Sequence, residues 1–131
     1  MTRSFSVRAR LDVLAVGLPQ VEVLRGYPCK FLLVGSALHK AKPRDYDVLG
    51  VLTDEQFAKH FLNAVRWKQE GESGFWSQDR YRWSAASIAV NDGLAAATDL
   101  NIDFKFWPER YVYGKRRVIE SGVRMAESGP G

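Results

Sequence analysis

The sequence predicts an α/β (α+β) domain, because helical and extended patterns both occur within one short chain. Residues 7–25 carry apolar side chains mostly three or four positions apart, which predicts one or two helical pieces around Pro19. A strand before Asp12 is the alternative for the start of this segment. Residues 31–34 form a wholly apolar run, typical of a strand buried on both faces. Residues 100–106 alternate between apolar and polar side chains, which predicts a strand with one buried face.

A second strand and a helix are predicted directly after the loop that follows the first strand. Residues 45–52 are polar at their start and apolar at their end, which predicts a strand. Thr53 or Asp54 can cap a following helix, because a side-chain oxygen accepts hydrogen bonds from the free amides of the first turn. The apolar residues expected to form the buried stripe of this helix are Phe57, Phe61, Leu62 and Val65.

The middle of the chain has no steady periodicity. Residues 70–84 contain two glycines, which predicts a loop or an irregular hairpin. Residues 84–98 are rich in alanine and favour a helix, whereas residues 91–93, Asn-Asp-Gly, favour a turn between two strands. We expect the helix.

The composition predicts one domain. Of the 131 residues, 46% are hydrophobic and 26% are charged, which is ordinary for a compact domain with a continuous core. We expect a single domain over residues 1–131, with its core at about 8–110 and a basic, partly frayed tail at 111–131. Cys29 is the one cysteine, so no intramolecular disulfide can form and a buried structural thiol is expected.

Charge and hydropathy limit which classes of partner and which cellular compartment we expect for this protein. The net charge of +4 permits a polyanionic partner without requiring one. No apolar run approaches the roughly 20 residues that cross a bilayer, and the amino terminus lacks the apolar core of a secretory signal. We therefore expect a cytoplasmic protein that does not enter a membrane.

Two short motifs lie where predicted strands end and begin. Gly35 and Ser36 follow the first strand directly, and Asp45 and Asp47 flank Tyr46 at the start of the second. This pattern, over residues 30 to 106, resembles the signature of the polymerase-beta-like nucleotidyltransferase superfamily. Members have an apolar strand that ends in Gly-Ser or Gly-Gly, an acid-hydrophobic-acid triplet, and a third acid on another strand. Asp103 stands where the third acid is expected.

The resemblance implies a minimal nucleotidyltransferase fold, a small mixed β-sheet with helices packed on one face. It implies transfer of a nucleoside monophosphate from a nucleotide triphosphate, such as ATP, to a hydroxyl acceptor, with release of pyrophosphate. Only 28 residues of this sequence follow Asp103, so we expect no counterpart of the acceptor-binding helical domain of larger members within it. We expect a homodimer or a partner to complete the site, with a nucleic acid or a protein as acceptor.

The chemistry of phosphoryl transfer explains why the family uses three acids. Negative charge spreads over the phosphate oxygens, and divalent metals stabilise it while aligning the attacking and leaving oxygens. Carboxylates two positions apart on a strand point the same way, so Asp45 and Asp47 can hold two Mg²⁺ or Mn²⁺ ions about 4 Å apart between them, as a two-metal mechanism requires. Asp103 would complete a metal site or activate the acceptor. Gly35 would let a phosphate approach the backbone, and Ser36 would add a hydroxyl and an amide.

Each of these residues also has a structural interpretation. A Gly-Ser pair after a strand is a common turn, and Asp103 can form a surface ion pair with Lys105. Asp99 is the fallback for the third acid, although it suits a cap or a turn better. Lys42 and Arg44 lie between the two motifs and are our candidates for contacting the triphosphate; a solvated basic loop is the alternative.

Aromatic and basic residues elsewhere are candidates for binding the acceptor. An aromatic set can provide a stacking surface or pack in the core, and a basic set can track a nucleic-acid backbone or form a solvated helix end. The aromatic set is Trp67, Trp76, Tyr81 and Trp83, and the basic set is Lys115, Arg116 and Arg117. Two functional alternatives stay open. One is a catalytically quiet binding or inhibitory module on the same fold, and the other is an antitoxin-like member whose acceptor is a hydroxyl of a partner protein.

Overall fold

The computed structural model describes residues 6–123 and contains three α-helices and two β-sheets. The helices are α1 (Val7–Gly17), α2 (Asp54–Phe61) and α3 (Arg80–Thr98). The strands are β1 (Lys30–Val34), β2 (Tyr46–Leu52), β3 (Ala64–Gln69), β4 (Glu72–Ser77), β5 (Ile102–Pro108) and β6 (Arg116–Ile119). Short 3₁₀ turns occupy Leu18–Gln20, Glu22–Gly26, Gly35–Leu38 and Glu109–Tyr111. Within this range no helix has the length and apolar character needed to cross a membrane.

The main sheet is mixed and has the strand order β5-β2-β1-β6. Strand β1 runs antiparallel to both β2 and β6, whereas β2 and β5 are parallel. One face of the sheet buries its side chains against the helices, for example Phe104 of β5 with Leu14 of α1 and Leu94 of α3 in one core cluster. The other face carries Asp47 and Asp103 and is only partly buried. The predicted fold class, a small mixed sheet with helices packed against it, is confirmed.

The predicted helical segment before β1 is confirmed, and a strand before Asp12 is excluded. Ser6 begins α1 because its hydroxyl accepts a hydrogen bond from the Ala9 amide at 3.1 Å. Pro19 lies in the 3₁₀ turn that follows α1. Leu11 and Leu14 lie three residues apart in α1 and are both buried in the core. The apolar periodicity of the sequence therefore corresponds to the buried face of this helix.

Helix α2 is shorter than its apolar pattern suggested. Thr53 caps it, as predicted, through a hydrogen bond from the Gln56 amide at 3.1 Å. The prediction that Leu62 and Val65 extend the buried stripe is wrong. Leu62 adopts a φ of 63° and is 54% exposed, and Val65 belongs to β3. The helix ends at Phe61 because its carbonyl accepts from Ser77 and from the Asp79 amide, which holds the following hairpin in place.

Residues 70–98, which have no steady periodicity in the sequence, belong to the end of a hairpin formed by β3 and β4 and to helix α3. Strands β3 and β4 form a regular antiparallel hairpin, not an irregular one, and it starts before residue 70. Its turn, Glu70 and Gly71, has positive φ at both residues, which matches the right-handed twist of the strands. The helix predicted over 84–98 is confirmed and begins at Arg80.

Helix α3 accommodates the Asn-Asp-Gly sequence in its middle, because Asn91 bonds to β5 and Gly93 lies against Val21. The Asn91 side-chain oxygen accepts the Phe104 amide at 2.7 Å, and the Ser87 hydroxyl oxygen accepts the Phe106 amide at 3.2 Å. The Trp83 indole donates to the Phe106 carbonyl at 2.8 Å. Side chains of α3 thereby satisfy the outer edge of β5, which would otherwise be open to a further strand.

Residues 111–123, the described part of the predicted tail, are more structured than a frayed tail. Strand β6 pairs with β1, and Ile119 is 3% exposed within the main core. A helix end at Lys115, Arg116 and Arg117 is therefore wrong, and the core extends beyond residue 110. Three of the four residues of β6 are exposed, so the sequence carried no alternating signal for it. Residues 124–131 of the predicted tail lie outside the described residues.

Cys29 is a buried thiol, as predicted. It is 1% exposed, and burial raises its pKa to about 12. The thiolate form is therefore strongly disfavoured, which suits a structural residue and not a nucleophile.

Candidate functional site

Parallel pairing of β2 and β5 brings the three predicted acids together. Asp47 and Asp103 are direct partners in this pairing, so their side chains emerge side by side on the same face. Asp45 lies two positions before Asp47 and points the same way. Carboxylate oxygens of all three lie within 4.8 Å of one another, and each residue is half-buried.

The alignment of the two strands depends on Asn101. The Tyr46 amide donates to the Asn101 carbonyl at 2.8 Å, and the Asn101 side-chain amide donates to the Arg44 carbonyl at 2.8 Å. These two bonds tie the start of β2 to the start of β5. A shift by one residue would move Asp103 to the opposite face.

Gly35 lies directly against Asp47. Its φ is +75°, a left-handed conformation that glycine adopts without strain. A Cβ at this position would collide with the Asp47 Oδ2 atom. The structure therefore places the predicted Gly35-Ser36 turn beside the acid cluster, and the half-buried Ser36 shapes the turn by accepting the Lys40 amide at 2.8 Å through its carbonyl.

Arg10 holds the loop between the two motifs, a role that the sequence did not reveal. Its guanidinium donates to the carbonyls of Ala37, Lys40 and Ala41, each at 2.7 Å, and lies 5.6 Å from the centroid of the Tyr46 ring. A basic residue on α1 carried no signal for this contact, because its partners lie about 30 residues away in the chain. Arg10 limits the positions that the loop can take above the cluster.

Lys42 and Arg44, the predicted triphosphate contacts, are both exposed. Neither takes part in any ion pair found between residues 6 and 123. Only the Arg44 carbonyl has a structural role, as the acceptor of Asn101. Both side chains are free of protein ion pairs and so could meet an anion.

The cluster raises the pKa of Asp47 to about 6 from its ordinary value of 3.8. Burial is the main cause, and the neighbouring charges of Asp45 and Asp103 add to it, while Lys105 opposes the shift. Lys105 forms the ion pair with Asp103 that was the structural alternative, with Nζ 2.9 Å from Oδ1. Asp103 thus has both roles: it pairs with a lysine and also belongs to the cluster.

The fallback acid Asp99 lies outside this cluster. It follows α3 with a left-handed φ of 58°, and its amide donates to the Ala95 carbonyl at 2.8 Å. Its role is to cap the helix, as its alternative interpretation predicted.

Arg116 lies on the face of the sheet that carries the acids, a position that the sequence did not reveal. It pairs with Val34, which in turn pairs with Asp47, so Arg116 faces the same side of the sheet as the acids. Neighbouring strands are about 4.8 Å apart, which puts the Arg116 backbone about 10 Å from that of Asp47. Arg117 points to the opposite face.

The four aromatic residues proposed as a stacking surface have different environments. Trp83 packs on Phe75 at 5.3 Å between ring centroids, and Trp76 lies under the Arg80 guanidinium at 5.6 Å. Trp67 is half-buried within the hairpin, and Tyr81 is 86% exposed. Trp67 and Trp76 share one face of the hairpin, because Trp67 pairs with Gly74 and Trp76 pairs with Val65, whereas Trp83 packs on Phe75 of the opposite face.

No family model, curated protein or solved structure matches this chain. Support for a function therefore comes from the residues of the site and from the motif in the sequence.

Three adjacent carboxylates can bind a hard divalent cation. Mg²⁺ and Mn²⁺ prefer oxygen ligands, and the three side chains are close enough to share one ion. Burial, with the charges of Asp45 and Asp103 added, raises the pKa of Asp47, and a bound cation would favour the charged carboxylate against these effects. The donor set fits a divalent metal.

Gly35→Ala should destabilise the protein and disturb the cluster. The left-handed backbone costs an alanine about 1–2 kcal/mol, and its Cβ would displace the Asp47 carboxylate. Gly71→Ala is the matched control, because Gly71 has a φ of +81° and open space around its Cα. Thermal unfolding should show a loss in both variants, and Mn²⁺ titration should show weakened binding in Gly35→Ala alone. Equal Mn²⁺ affinities of Gly35→Ala and Gly71→Ala would contradict the effect of Gly35 on the Asp47 carboxylate.

Asp47→Asn should stabilise the metal-free protein at pH 7.5. The folded-state pKa of about 6 lies above the ordinary 3.8, so the stability associated with Asp47 is full below pH 3.8 and is lost as the pH rises through about 6. The advantage of the variant should therefore shrink as the pH falls from 7 to 4, measured by urea unfolding in EDTA. Asp12→Asn is the control, because it removes an exposed acid that pairs with Arg8 outside the cluster, and it should not be more stable than the wild type at pH 7.5. An Asp47→Asn variant less stable than the wild type at pH 7.5 would refute this.

Proposed function

We propose that this protein is a metal-dependent nucleotidyltransferase that moves a nucleoside monophosphate from a nucleotide triphosphate, such as ATP, to a hydroxyl acceptor. The observation that carries the proposal is the pairing of Asp47 with Asp103 on parallel strands, with Asp45 beside them and Gly35 against them. The Gly-Ser and Asp-Tyr-Asp motifs that resemble the polymerase-beta-like superfamily therefore meet in space, as a site for triphosphate and metal requires.

The bonds formed and broken in this reaction can be assigned, together with a role for each of the three acids. The acceptor oxygen forms a bond to the α-phosphorus, the bond from that phosphorus to the pyrophosphate oxygen breaks, and pyrophosphate leaves with the electron pair. Mg²⁺ or Mn²⁺ held by Asp45, Asp47 and Asp103 would stabilise the charge on the phosphate oxygens. Asp103 would complete a metal site in this way or, alternatively, take the proton of the acceptor hydroxyl as general base.

The remaining groups orient the triphosphate. Gly35 presents a backbone without a side chain, and Ser36 adds a hydroxyl and an amide. Three exposed cations could bind the phosphate oxygens: Lys42 and Arg44 from the loop, and Arg116 from β6. We propose a nucleic acid or a partner protein as the acceptor, with a second copy of this chain or a partner completing the site, and the cytoplasm as its location.

The second candidate is a catalytically quiet binding or inhibitory module on the same fold. One observation favours it: Lys105 already neutralises Asp103 at 2.9 Å, which reduces the need for a cation. Such a module would bind its partner without releasing pyrophosphate.

The proposal is tested by nucleotide binding with the metal varied. We expect the wild type to bind nucleotide triphosphates in Mg²⁺ or Mn²⁺, followed by calorimetry, and to release pyrophosphate once an acceptor is supplied. Asp45→Asn/Asp47→Asn should lose at least about tenfold in affinity, because metal ligands are removed. Asp12→Asn/Asp92→Asn removes the same charge from exposed positions and should bind normally. No metal-dependent binding in the wild type would sink the proposal, and binding without turnover on any acceptor would favour the quiet module.

Arg116→Gln should weaken triphosphate binding by about tenfold, as expected for the loss of a charge-assisted hydrogen bond. Arg117→Gln is the matched control, because it removes the same charge from the next residue on the opposite face. We expect it to change the affinity by less than about twofold at 0.15 M salt, where distant charges are screened. Titration of a non-hydrolysable nucleotide in Mn²⁺ measures both. Equal losses in the two variants would show a general charge effect and no role for Arg116.

A further inference from the structure

A cavity of about 390 Å³ opens between α3 and β5, next to the acid cluster. Its lining includes Trp83, Ser84, Ile88, Asn91, Asp103 and Lys105. Asp103 belongs to both the cavity and the cluster, so a molecule in the cavity lies beside the reacting groups. The volume is within the range of small-molecule sites.

The walls of the cavity combine apolar surface with unused hydrogen-bond donors. Ile88 is a large apolar residue that is 59% exposed, and the Trp83 ring borders the same space. The Asn91 oxygen is occupied by the Phe104 amide, which leaves the side-chain NH₂ with no protein acceptor between residues 6 and 123. The exposed Ser84 adds a hydroxyl.

We propose that this cavity binds a nucleobase, an inference that rests on the proposed function. A purely apolar ligand would leave the Asn91 donors unpaired, and a bare anion would face the Asp103 carboxylate. A flat heteroaromatic ring satisfies both walls: its faces cover Ile88 and Trp83, and acceptor atoms at its rim meet the Asn91 NH₂ and the Ser84 hydroxyl.

The base can belong to either of two substrates. It is carried by the donor nucleotide, or by the end of a nucleic-acid acceptor whose hydroxyl then lies near Asp103. Both present the same ring chemistry, so the probes must separate them. Tripolyphosphate keeps the phosphate chain and lacks the base, and a short single-stranded oligonucleotide in EDTA probes the acceptor base without metal-bound triphosphate.

Ser84→Trp fills the cavity, and Ala85→Trp is the matched control because the next residue of α3 is exposed and does not line the cavity. Affinities are measured by calorimetry for tripolyphosphate and the four ribonucleotide triphosphates in Mn²⁺, and for oligonucleotides in EDTA. Circular dichroism checks that both variants fold. If Ser84→Trp does not fold, Ile88→Gln replaces it, since it makes the apolar wall polar at an exposed position.

If the base of the donor nucleotide occupies the cavity, Ser84→Trp should lose about tenfold or more in affinity for the nucleotide triphosphates, which is the contribution of about one stacked base. Its affinity for tripolyphosphate should stay unchanged. A base of the acceptor predicts the same loss for oligonucleotides alone. If Ser84→Trp and Ala85→Trp bind every probe equally, the cavity is not a base site, while the proposed function stands. If the wild type binds neither tripolyphosphate nor nucleotides in Mn²⁺, the proposed function fails. The base site then also fails, unless Ser84→Trp loses oligonucleotide affinity and Ala85→Trp does not.

Discussion

The parallel pairing of β2 with β5 determines where every acid of the site lies. Strands that pair in parallel place partner residues side by side on one face, and here the partners are Asp47 and Asp103. The pairing begins at Asn101, whose backbone and side chain bind the start of β2. The cluster, the turn at Gly35 and the cavity beside α3 are all arranged around these two strands.

Bringing three carboxylates together opposes folding, and the surrounding structure supports the arrangement. Asp47 is held partly out of water beside two like charges, with Lys105 as the cation that partly balances them. The opposite face of the same strands is apolar apart from the half-buried Tyr46, with Val48 and Phe106 at 0% exposure. Burial of that face fixes the strands, so the acids cannot move apart by a shift in register without exposing the core. Strain that a core imposes in this way is common at sites that bind a charged ligand.

Helix α3 contributes to both the fold and the site. Its inward side chains Ser87 and Asn91 satisfy backbone amides of β5, which keeps the edge of the sheet closed. The same helix leaves a cavity beside Asp103, bounded by Ile88 and Ser84 on its outer turns. A single element therefore protects the strand that carries an acid and shapes the space in front of that acid.

Local patterns in the sequence determined the elements that are strongly periodic and the order of the motifs. The alternation in β5, the apolar run of β1 and the Thr53 cap could all be predicted, because each depends on residues a few positions apart. The neighbourhood of Gly35, Asp45 and Asp47 was expected from the resemblance of their motifs to a family signature, because the β1-β2 pairing that creates it joins more distant residues. Only the tertiary structure decided what depends on distant partners. Strand β6 exists because β1 offers it an edge, and Arg10 holds a loop about 30 residues away. The Asn-Asp-Gly of α3 stays helical because Phe104 supplies the hydrogen-bond donor that Asn91 accepts. Long-range pairing has no local pattern, since its free energy appears only when the chain has folded.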